Sequence, residues 1–157
     1  MRAAVIRCFG QPRALDAFPS LGATAGRVAT DELWLVGPRT AGGELTQRAT
    51  SYLAGADPDG LVVDHGEAWA VWRLSGTASR SAFARLADFP LPAERHGFVQ
   101  GAVVQVPAKI LVQPDWLDLI VPVQLAHHIP VRVVQACADL GAKLGAEQDL
   151  AVARVDG

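Results

Sequence analysis

VDHGEAWAVWRLSGTASRSAFARL, residues Val63 to Leu86, is the stretch on which the reading of the fold turns. Trp69, Val71 and Leu74, with Ala70 and Trp72 between them, form a nearly unbroken apolar run rich in aromatic and β-branched residues. That is the pattern of a strand covered on both faces. Gly76 ends it. Thr77 is placed to act as N-cap, its hydroxyl accepting from an orphan N–H of the first helical turn. Ala78, Ala82, Phe83 and Leu86 then share one helical face, with Arg80 and Arg85 largely off the stripe. A strand feeding a helix implies a packed layer of sheet and helix, and no residue in it is an evident catalyst.

Upstream, Arg2 to Phe9 reads as a strand stopped by Gly10. Pro12 suits the first position of a short helix that would bury Leu15 and Phe18 before Pro19 closes it. Ala23 to Asp31 is a weaker strand, and Leu33 to Val36 a stronger one ending at Gly37-Pro38. Leu45, Ala49, Tyr52 and Leu53 repeat at helical spacing, and the turn cluster Gly55 to Gly60, GADPDG, is the best candidate for a subdomain junction. Downstream, the Pro-rich bend at Pro90 and Pro92 leads into GFVQGAVVQVP, which reads as one long strand. Ile129, Val133, Ala136 or Cys137, and Leu140 make the stripe of a last helix; Pro130 cannot donate its N–H, so this helix either starts near it or kinks. Loose alternation from Asp149 to Val155 is compatible with a final edge strand.

The two halves follow one plan. AVIRCFGQPRALDAF from Ala4 lies over AVWRLSGTASRSAFA from Ala70 at an offset of 66, pairing Arg7 with Arg73 and Gly10 with Gly76. DELWLVGP from Asp31 lies over DWLDLIVP from Asp115 at an offset of 84, with Pro38 over Pro122. The 18-residue difference is an insertion within Asp88 to Pro107. Agreement of residues and element order points to an internal duplication. The expectation is one α+β domain over residues 1–157, built from two strand-helix-strand-strand-helix repeats at about 1–57 and 61–141, plus a C-terminal strand at 146–155. Its sheet would be mixed or antiparallel with helices packed on it.

Bulk composition excludes some classes and favours another. Fourteen basic and sixteen acidic residues leave a formal charge of −2, with no basic block to displace counterions from a phosphate backbone, so nucleic acid is not an expected partner. Charged residues are only 19% of the chain while 50% are hydrophobic, too little charge to cover the surface of a small domain. A buried interface with another chain follows. No apolar run approaches the ~20 residues of a membrane span, and the N-terminus MRAAVIRCFG has no signal-peptide pattern, so a cytoplasmic protein is expected. Cys8 and Cys137 have no CxxC spacing and read as buried free thiols.

The chemistry-bearing residues give little. His127 and His128 point about 100° apart if helical and have no HxxxH or ExxH companion, so they read as surface or interface histidines. His65 beside Asp64 would be a base with an orienting carboxylate only if neighbouring side chains converged, and in a strand they diverge; His96 stands apart. Ser75 and Ser79 lie in no GxSxG elbow, and the glycines form neither a dinucleotide nor a P-loop signature. Asp57 and Asp59 flank Pro58 in a turn without the other ligands of a calcium loop. Trp34, Trp69, Trp72 and Trp116 sit at strand positions, where packing or an interface is the expected use and a flat-ligand site the alternative. No catalytic residue, metal ligand or cofactor-binding residue is assigned.

The order DELWLVGP, VVDHGEAWAVWRLSGTASRSAFARL, GFVQGAVVQVPAKILVQPDWLDLIVP and a closing helix, over about Asp31 to Gly141, resembles the gamma subunit of heterotetrameric sarcosine oxidase. More distantly it is similar to the folate-binding domain of T-protein aminomethyltransferases. The resemblance rests on the Asp64 to Gly76 run, the helix end at Phe83 to Leu86, and Leu-Ile-Val-Pro at Leu119 to Pro122. It implies a duplicated α+β fold and a non-catalytic accessory chain, with flavin and the nicotinamide cofactor held by larger flavoprotein subunits. Against the folate enzymes, Gly66 stands where their motif has a serine, and AKILVQP around Lys109 to Val112 lacks their Asp-Asp pair. Aminomethyl transfer is therefore not expected. A stand-alone folate-binding protein and a homo-oligomeric scaffold are the alternatives.

Overall fold

The computed structural model describes residues 3–93 and 97–145. His96 and the expected strand at 146–155 lie outside them. The chain divides into two compact units, with the division between Glu67 and Ala68.

In the first unit, β1 (Ala3–Phe9) is followed by a short helix α1 (Pro12–Asp16), β2 (Thr24–Ala29), β3 (Glu32–Pro38), α2 (Gly42–Ala56) and β4 (Leu61–Asp64). The four strands form one sheet in the order β2-β3-β1-β4, every pairing antiparallel. Strand alternation decides what faces the helices: Ala4, Ile6 and Cys8 of β1 and Leu33 and Leu35 of β3 meet Leu45, Ala49 and Leu53 of α2. Pro12 opens α1, where a missing N–H costs nothing.

The second unit runs β5 (Trp69–Ser75), α3 (Ser79–Leu86), β6 (Gly97–Val103), β7 (Val106–Val112), β8 (Trp116–Pro122) and α4 (His128–Ala136). Its sheet, again all antiparallel, has the order β5-β8-β7-β6. Phe83 and Leu86 of α3 and Ile129 of α4 pack with Ile110, Val112, Leu117, Leu119 and Val121 of the sheet. Pro130 falls within the first turn of α4, so the helix starts just before it and is not kinked by it.

The units share an order of parts. In each, the first strand (β1, β5) pairs antiparallel with a later one (β3, β8), whose other neighbour is the strand preceding it in sequence (β2, β7). That later strand ends at a proline, Pro38 or Pro122, and a single 3-10 turn leads into the long helix. β6, within residues 88–107, is the remaining strand of the second sheet, and β4 that of the first.

The α+β class holds, with several refinements. Among the described residues there are two sheets, and of the mixed and antiparallel alternatives both are antiparallel throughout. The unit boundary is not at the Gly55 to Gly60 turn: Leu61 to Phe9 and Asp64 to Ile6 pairing ties β4 to the first sheet. The Val63 to Leu86 stretch therefore straddles both units. β5 is an edge strand of its sheet, and of its residues only Val71 is fully buried, so coverage on both faces does not occur. Thr77 caps nothing; Gly76, at φ +100°, turns the chain, and its carbonyl accepts the Ser79 N–H at 3.0 Å. Residues 97–107 are not one strand but the arm and turn of a hairpin, reversed at Val104 (φ 46°) and Gln105 (φ 68°) without a glycine. The Val104 N–H, donating to the Leu86 carbonyl at 2.7 Å, holds this strained turn against α3.

Gly101 shows how tightly the added hairpin is packed. A Cβ there would lie 2.4 Å from the Phe89 ring, which itself stands edge-on to buried Phe83 at 5.5 Å. Gly101→Ala should lose about 1–3 kcal/mol in urea unfolding, and Phe89→Ala in the same chain should give a loss smaller than the sum of the two. Strict additivity would show that the ring is not the obstacle.

Candidate functional site

Each sheet carries an arginine on the side opposite its helices. Arg73 on β5 stands directly across from Asp118 on β8 and donates through Nε and Nη2 to the two carboxylate oxygens at 2.7 and 2.8 Å. The Asp118 side chain is 4% exposed and that of Arg73 16%. The guanidinium also lies 4.6 Å from the Trp116 ring centroid. In the first sheet Arg7 donates to Glu32 Oε1 at 2.6 Å, an oxygen that also accepts the Trp34 indole N–H at 2.6 Å, and a second Arg7 nitrogen is 3.3 Å from His65 Nδ1. Lys109 on β7 lies over Trp69 at 5.0 Å. Both clusters combine an arginine, a carboxylate and a tryptophan.

This is the chemistry of charge neutralisation. Asp118 has both oxygens committed to Arg73, and Glu32 Oε1 is shared between two donors. Asp64 does not orient His65: its Oδ1 accepts the Gly66 N–H at 2.9 Å, a local turn, while the histidine faces Arg7. Gly66 is in that role for want of room, since a Cβ would meet the Ala3 carbonyl at 3.0 Å. Asp57 is buried, its Oδ2 accepting the Gln11 N–H at 2.6 Å, and Asp59 is exposed. His127 and His128 are exposed, with ring centroids 3.9 Å apart. Among the described residues no three His, Cys, Asp or Glu side chains converge as a metal site would require. Cys8 is buried in the first core, which pushes its thiol up to about 12; burial also raises Cys137, which donates to the Ala82 carbonyl.

The second unit contains a cleft of about 750 Å³ between β5, the start of α3, α4 and residues 141–145. Trp72, Leu74, Ile129, Val133, Leu140 and Leu144 supply apolar wall. The serines singled out from sequence, Ser75 and Ser79, line it too, but no histidine or carboxylate does. The Trp72 indole N–H is already committed to the Ala126 carbonyl at 3.0 Å. The cleft's lining mixes that apolar wall with the polar residues Arg73, Thr77 and Lys143.

Sequence reasoning paired Arg7 with Arg73 but missed their acids. The signal was present: a charged residue inside an apolar strand needs a partner, and Glu32 and Asp118 are the acids inside the strands aligned with each other. The cleft had no comparable signal, because its walls come from segments far apart in sequence.

No protein-family profile matches the chain, and no curated protein matches it. Among solved structures it is similar to a chain of the heterotetrameric sarcosine oxidase from Corynebacterium sp. U-96 in complex with pyrrole 2-carboxylate. The match covers 92% of this chain and 84% of that one at 14% identity, with a TM-score of 0.71. The two share a fold.

Three outcomes follow from these geometries. Asp118→Ala should lose about 3–5 kcal/mol in chemical denaturation, because Arg73 is left buried without its counter-charge. Asp139→Ala, which removes the exposed partner of Arg85, should leave the midpoint unmoved; equal losses would contradict the assignment. Neither thiol should react with a disulfide reagent in the native chain at pH 8, both reacting on unfolding. Between the ordinary thiol value of 9.0 and about 12 the unfolded chain releases the Cys8 proton that the folded chain keeps, so stability should fall as pH rises through that window. The fall should be less steep in Cys8→Ala.

Proposed function

We propose that this chain is a non-catalytic subunit of a sarcosine-oxidase-like, amine-oxidising flavoenzyme, and that it assembles with larger flavoprotein subunits that hold the flavin and the nicotinamide cofactor. The observation that carries this reading is the shared fold over 92% of the chain with a chain of such an oxidase. Two features support it. The carboxylates and arginines on the helix-free faces are bound to each other, and the cleft described has no histidine or carboxylate in its lining. In this reading the two units are copies of one repeat, the second enlarged by β6, and the repeat serves to build surface.

The chain purified alone is then colourless and without amine oxidase activity. It binds no reduced folate saturably at micromolar concentration. Co-expressed with flavoprotein subunits encoded beside it, it co-elutes with them on size exclusion at fixed stoichiometry. A chain that stays monomeric in their presence, or that binds folate when alone, overturns the proposal.

A further inference from the structure

We draw no further inference here: the strongest candidate, the cleft between β5, the start of α3, α4 and residues 141–145, has a mixed lining in which Lys143 is exposed and Arg73 is bound to Asp118, and nothing in the structure shows what covers it.

Discussion

A guanidinium held in the plane of a carboxylate on a dry sheet face is the constraint on which the second unit depends. Arg73 and Asp118 are directly opposed in the β5–β8 ladder, and their two hydrogen bonds form only in that register. Side chains alternate across a strand, so a slip of one residue would carry Arg73 to the face where Ala70, Trp72 and Leu74 pack beneath the helices. It would also orphan Asp118 among buried neighbours. Hydrophobic pattern alone would resist that slip weakly here. Both sides of this sheet are largely apolar: Ile120 and Leu111 on one and Leu119 and Ile110 on the other are all buried. The ion pair breaks the ambiguity that two apolar faces create. We hold register to be its use, since a buried pair is poor evidence for net stabilisation.

The first sheet solves the same problem with its parts exchanged. Trp34 is opposite Arg7 and the acid is at Glu32, whereas Asp118 is opposite Arg73 and the tryptophan is at Trp116. Glu32 reaches Arg7 diagonally by its extra methylene, and the indole of Trp34 donates to the same oxygen. The longer acid goes with the diagonal position and the shorter with the facing one, as cross-strand spacing requires.

Local pattern revealed most of the elements. Strand and helix positions, the buried cysteines and the start of α4 at its proline were readable because period-2 and period-3.6 runs and backbone chemistry are local. What was misread depends on partners. β5 looks like a central strand because its composition is apolar, but position within a sheet is decided by pairing, and it lies at the edge. The hairpin at Val104-Gln105 has no turn residue to announce it; its backbone is held by the bond to Leu86, a tertiary fact. The Gly55 to Gly60 turn looks like the junction because turn chemistry is conspicuous there. That turn instead packs inward, with Asp57 holding Gln11, and the chain passes between units with little to mark it beyond the short 3-10 turn at Gly66–Ala68.

Of the cleft, the sequence showed only an excess of apolar residues over charge. That excess said that surface must be covered without saying where, because Trp72, Ile129 and Leu144 come from three separate segments. The structure localises it. In the second unit Arg73 and Lys109 are engaged with Asp118, Trp116 and Trp69, while Arg132 and Lys143 are exposed. Charge in this unit is thus divided between an inner set, Arg73 paired with Asp118 and Lys109 over Trp69, and an outer set exposed to solvent.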